Sequence, residues 1–117
     1  MQAIFYTHDL MISSQTSSVA RAKGCDLRVV RGLEQVREQA NEGELALAIL
    51  DLESPGIDVP AVVAALRSAA VPPRIVAFGP HVWTERLQAA EASGCDEVHS
   101  RGQFVGQLAQ LFATGTG

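Results

Sequence analysis

An unbroken apolar run, Leu45 to Leu50, ends in Asp51 and continues at once into Leu52-Glu53-Ser54-Pro55-Gly56. A carboxylate at the tip of a buried strand costs free energy unless it is paired or hydrogen-bonded. Four roles would account for it: capping the loop that follows, ligating a metal, accepting a phosphoryl group, or surviving as the trace of an inherited site. The residues that could share such chemistry lie elsewhere in the chain. They are Thr7, His8 and Asp9 near the start, His81 and Trp83 in the second half, and His99 and Arg101 near the end.

Those residues need a scaffold. The chain has 117 residues, the size of one domain. Hydrophobic residues make up 47% and charged residues 19%, the mixture of an ordinary globular protein. No apolar run approaches the ~20 residues needed to span a bilayer. Met1 to Leu10 lacks a basic region followed by a long apolar stretch, so no signal peptide is expected. The net charge is −4, with no Lys/Arg cluster. That argues against nucleic acid or an anionic membrane as a general partner. Cys25 and Cys95 are too few for a disulfide framework, and two semi-buried free thiols in a cytoplasmic protein are expected. The domain is expected to span 1–113, with Thr114 to Gly117 as a frayed tail.

Five short apolar segments read as strands: Ala3–Tyr6, Asp26–Val30, Leu45–Leu50, Arg74–Phe78 and, weakly, Asp96–His99. Unbroken apolar runs suit strands covered on both faces. Helical spacing fills the gaps. Leu33, Val36 and Ala40 recur before an Asn41-Glu42-Gly43 stop. Val59, Val62, Val63, Leu66 and Ala70 form a stripe, with Asp58 as its N-cap and Pro60 in the first turn. Leu87 and Ala90 precede a Ser93-Gly94 end. Phe104, Leu108, Leu111 and Phe112 mark one last helix, opened by a capping box at Ser100 to Gln103. The first helix, Ile12 to Lys23, is the weakest, because the hydroxyls of Ser13-Ser14-Gln15-Thr16-Ser17-Ser18 compete for backbone hydrogen bonds.

A β-α unit repeated five times predicts an α/β, three-layer, flavodoxin-like (βα)5 domain with a parallel sheet of order 2-1-3-4-5. Sites in such folds lie beyond the C-terminal strand ends, near the switch point between strands 1 and 3. That places Thr7, His8, Asp9 and Asp51 together, with the loops after Phe78 and His99.

The segment Ala48-Ile49-Leu50-Asp51-Leu52-Glu53-Ser54-Pro55-Gly56-Ile57-Asp58 resembles the third strand and loop of response-regulator receiver domains, the CheY-like family. Gly94 to Val98, then Phe104, resembles the region around that family's lysine. The resemblance implies a phospho-accepting aspartate at Asp51, an acidic magnesium pocket at Thr7, His8 and Asp9, a switch Thr/Ser at Phe78 or Gly79, and the lysine at Arg101. Only Asp51 matches well. Asp9 and Asp51 are the carboxylates left for a metal, so magnesium binding is expected to be weak and no other cofactor is expected. Arg101 keeps the charge but offers a planar fork. Phe78 and Gly79 carry no hydroxyl, and Phe-Gly-Pro-His-Val from Phe78 resembles atypical receivers.

The resemblance therefore implies a stand-alone atypical or pseudo-receiver in bacterial signalling. No enzymatic activity is expected of it, and it is expected to act on another signalling protein or a second copy, with Trp83 on the partner surface. The alternatives are a working phosphoacceptor that uses Asp51 with magnesium and a small-ligand-binding flavodoxin-like protein. Plainer roles stand beside these. Asp51 could cap its loop or pair with Arg101. Trp83 could simply pack at the start of helix 4. The three histidines could be exposed loop residues, since no metal-ligand spacing joins them. A phosphate or flavin cradle after strand 1 lacks the glycines it would need.

Overall fold

The computed structural model describes residues 1–113, and the expected tail at 114–117 lies outside them. Strands β1 (Gln2–Tyr6), β2 (Asp26–Val30), β3 (Leu45–Asp51), β4 (Arg74–Gly79) and β5 (Glu97–Ser100) alternate with helices α1 (Leu10–Ala22), α2 (Leu33–Asn41), α3 (Val59–Arg67), α4 (Thr84–Ala92), α5 (Arg101–Gly106) and α6 (Leu108–Leu111). The five strands form one parallel sheet in the order β2-β1-β3-β4-β5. This is the flavodoxin-like order expected from the β-α repeat.

Alternation along the strands divides the core into two layers. Ile4, Tyr6, Ala48, Leu50, Ile75 and Ala77 face the layer that holds Val36, Val62, Leu66 and Ala90 of α2, α3 and α4. Phe5, Leu47, Ile49, Val76 and Phe78 face Ile12 and Ala20 of α1 and Phe104, Leu108 and Phe112 at the C-terminal end. Both faces of β3 are therefore covered, which is why its sequence is apolar without a break. β2 is the exception. It lies at an edge, and Arg28 and Val29 are exposed.

The helix starts follow local chemistry. Asp58 caps α3 by accepting the Ala61 N–H, with Pro60 in the first turn. Ser100 and Gln103 form the expected capping box. Two expectations need correction. α1 starts at Leu10, two residues earlier than the hydroxyl-rich sequence implied, because Asp9 caps it and Ser13 and Thr16 are buried beside Ile12 and Ala20. The last helix is two pieces. α5 ends at Gly106, and Gln107 (φ −112, ψ 8) leaves helical geometry before α6.

Candidate functional site

The C-terminal ends of β1, β3 and β4 and the start of α5 meet at one edge of the sheet. Asp51 pairs in register with Phe78, and Tyr6 with Leu50. Asp51 thus stands at the mouth of the switch point, yet it is only 2% exposed. The turn beyond it reverses through Pro55 and Gly56 (φ 71), closed by the Ile57 N–H on the Ser54 carbonyl. Proline followed by a positive-φ glycine is the chemistry of a type II turn.

The polar groups form a closed circuit. The Thr7 hydroxyl donates to Asp51 Oδ2 at 2.7 Å. The same oxygen of Thr7 accepts the Asp9 N–H at 3.1 Å. Asp9 Oδ2 accepts Arg101 Nη2 at 2.6 Å, and Arg101 Nη1 reaches Glu53 Oε1 at 3.0 Å. The Glu53 N–H donates back to Asp51 Oδ1 at 3.0 Å. Each carboxylate oxygen of Asp51 therefore has a partner, as burial requires. Asp51 caps its own loop, one of the plainer roles open to it. It does not pair directly with Arg101, whose two ion pairs go to Asp9 and Glu53.

Asp9 carries two duties. Its Oδ1 accepts the Met11 and Ile12 N–H groups as the α1 cap. The Ile12 N–H and then Arg101 hold its carboxyl below the usual aspartate range. Burial pulls Arg101 down, but the Asp9 hydrogen bond and the charges of Glu53, Asp9 and Asp51 outweigh it, so the guanidinium pKa ends up raised. Arg101 also lies over the Phe78 ring, 5.9 Å from its centroid.

Other expected site residues fall around this circuit or away from it. Thr7 is fully buried, while His8 is exposed and meets the Tyr6 ring edge-on. Phe78 is fully buried and stacks on Phe104, with centroids 4.1 Å apart and planes 7° from parallel. Gly79 is buried against Leu52 and Leu87, where an added Cβ would lie 3.4 Å from Leu52 Cβ. Trp83 is half-buried at the start of α4, under the Arg86 guanidinium at 4.4 Å. His99 lies within β5 in register with Phe78 and is half-buried, not an exposed loop residue, and it bonds Glu97. Glu53 was missed by sequence reading. Its position two residues past Asp51, on the same loop as the turn, was the available signal.

The donor set suits a divalent cation poorly. Magnesium wants several hard oxygens held free at near-octahedral positions. Here Asp9 Oδ1 is spent on the α1 cap, Asp9 Oδ2 and Glu53 Oε1 on Arg101, and both Asp51 oxygens on Thr7 and the Glu53 N–H. Among the described residues no group of three or more His, Cys, Asp or Glu could hold a metal ion.

Solved structures supply the comparison. A response regulator from Hahella chejuensis superposes with a TM-score of 0.81 at 21% identity, covering 96% of this chain and 92% of its own. The receiver domain of a Pseudomonas aeruginosa sensor histidine kinase, with a magnesium ion coordinated in its active-site cleft, gives 0.77 at 12% identity over 95% and 93%. The beryllofluoride-activated receiver domain dimer of NtrC4 gives 0.73 at 12% identity over 95% and 98%. The chain has the receiver-domain fold. No family model and no curated protein matches its sequence. The sheet order places Asp51 at the mouth of the switch point, and the circuit describes what surrounds it there. No helix among the described residues is long and apolar enough to cross a membrane.

Proposed function

We propose that this chain is an atypical receiver domain of bacterial signal transduction, acting by protein–protein contact with little or no dependence on phosphorylation. The observation that carries the reading is the closed hydrogen-bond circuit, in which Thr7 holds Asp51 and Arg101 is already engaged by Asp9 and Glu53. A carboxylate attacks phosphorus only when cations cancel the repulsion and the nucleophile is free. In this chain the nearby cation is committed elsewhere. The positions that would sense a phosphoryl group, Phe78 or Gly79, carry no hydroxyl, and Phe78 is locked in a stack with Phe104. Both effects weaken the route from Asp51 to the surface.

The partner is another signalling protein or a second copy of the chain. The dimeric state of the NtrC4 receiver domain supports the second option. Trp83 and Arg86 at the start of α4 offer an aromatic-guanidinium pair of the kind that anchors interfaces.

The test is a pair of ¹⁵N–¹H spectra, with and without magnesium and beryllofluoride. We expect changes to be absent or confined to the loops around Asp51. Saturable changes that spread through Phe78 to Trp83 and α4, abolished in Asp51→Asn, would replace this reading with a working phosphoacceptor.

A further inference from the structure

α3 packs against α2, and between α3 and α4 the fold leaves a groove of about 500 Å³. Its lining is mostly apolar, from Leu52, Ile57, Val59 and Ala90. A space of this size and character is typical of small-molecule sites. Four polar side chains break the apolar lining, and one of them, Ser93, already donates its hydroxyl to the Ala89 carbonyl. Ser54 lines the groove, is 5% exposed, and its hydroxyl has no hydrogen-bond partner among the described residues. A buried orphan hydroxyl is costly, and because the Ser54 oxygen is itself covered, a groove ligand satisfies it only after the side chain turns. Asp58, at the start of α3, lends one carboxylate oxygen to the Ala61 N–H. Arg86, on α4, is held against Trp83 and forms no ion pair among the described residues.

Asp58 and Arg86 therefore line one groove from different helices without pairing with each other. Opposite charges that line one mostly apolar groove without pairing match a small molecule that carries both signs and an apolar body. We propose that this groove binds a small apolar α-amino acid. Its carboxylate meets Arg86, its ammonium meets Asp58, and the Ser54 hydroxyl bonds whichever polar atom lies deepest. The Trp83 ring, outside the groove lining, holds the Arg86 guanidinium at 4.4 Å, so a bound carboxylate must share Arg86 with it. The groove shares its loop with Asp51, because the Ser54 N–H donates to the Asp51 carbonyl at 3.0 Å. The proposal stands whether or not Asp51 is ever phosphorylated.

The experiment is a titration of the whole chain with L-leucine and, separately, L-phenylalanine at millimolar concentration, followed by ¹⁵N–¹H spectra. Saturable shifts are expected at Ser54, Ile57, Asp58, Arg86 and Ala89 with at least one of the two. 4-Methylpentanoate and isopentylamine each keep the leucine-like body and one charge, and each should bind at least about tenfold more weakly than leucine if leucine is the ligand, the worth of one charge-assisted contact. Arg86→Gln should weaken amino-acid binding, as should Asp58→Asn, which keeps an acceptor for the α3 cap. Ser54→Met fills the groove and should abolish binding. No saturable shift with either amino acid, shifts centred outside the groove, 4-methylpentanoate or isopentylamine binding as well as a leucine that binds, or unchanged binding in Ser54→Met would each overturn the proposal.

Discussion

At the scale of single residues the circuit around Asp51 makes two measurable claims. Thr7 is fully buried and its hydroxyl serves both Asp51 and the Asp9 N–H. Thr7→Val keeps the shape and strips the hydroxyl, leaving a buried carboxylate oxygen unpaired. The expected loss is about 1–3 kcal/mol in urea unfolding, with Thr7→Ser losing clearly less. Equal stability of Thr7→Val and the parent would mean the circuit contributes nothing. Asp9 makes the second claim. Its folded carboxyl titrates below its ordinary value of 3.8, first through the Ile12 N–H and then through Arg101. A depressed folded value gives stability that is complete above the unfolded value and is lost as pH falls through the folded one. Asp9→Asn keeps an acceptor for the cap but not the charge. The stability gap between parent and Asp9→Asn should be full near neutral pH and shrink as pH drops below 3.8. A gap that stays constant into acid would assign no role to the charge. Sequence reading found Asp51, Asp9 and Arg101, but it could not see that Arg101 would choose Asp9 and Glu53. That choice depends on where a loop and a helix start converge 48 and 92 residues away along the chain.

At the scale of elements, legibility followed how local the signal was. The unbroken run of β3, the Asp58 cap and the Ser100–Gln103 box each depend on neighbours in sequence, and each reads directly. α1 did not. Its hydroxyls argue against a helix until Ser13 and Thr16 are seen buried on the face that meets the sheet, where tertiary packing overrides propensity. The split between α5 and α6 was equally hidden, because the stripe of Phe104, Leu108 and Leu111 continues across it. Gly106 ends α5 with no atom within 4 Å of where its Cβ would sit, and its φ is not positive. Gly106→Ala should therefore stabilise the domain, by up to about 1 kcal/mol, since alanine loses less backbone entropy in a helix. Ser100→Ala should do the reverse and cost about 1 kcal/mol by removing the cap. Thermal melts of the two single variants check both signs. A destabilised Gly106→Ala would show that the break at Gln107 needs glycine beside it.

At the scale of the whole molecule, two core layers lie on either side of one sheet, and each holds a cysteine. Cys25 belongs to the layer under α1 and the C-terminal helices, and Cys95 to the layer under α2, α3 and α4. Burial pushes the Cys95 thiol up to about 11, with the Asp96 charge adding to it, and burial also raises Cys25. Thiolate is the reactive form, so both groups are short of it at neutral pH and out of reach as well. A thiol reagent can act only after the structure opens. The strands of the central sheet pair through their length, and β3 is covered on both sides, so neither layer has a free sheet surface on which to persist alone. The two layers should therefore open together. Labelling with a chromogenic disulfide, resolved by mass after proteolysis, should show Cys25 and Cys95 reacting at matched rates when each is scaled to its rate in the unfolded chain. Both rates should rise in parallel as urea lowers the global stability. Cys95 reacting well ahead of Cys25 would mean that the α3–α4 side opens on its own while the Phe5–Phe78–Phe104 layer stays closed, and the domain would then be two cooperative units instead of one.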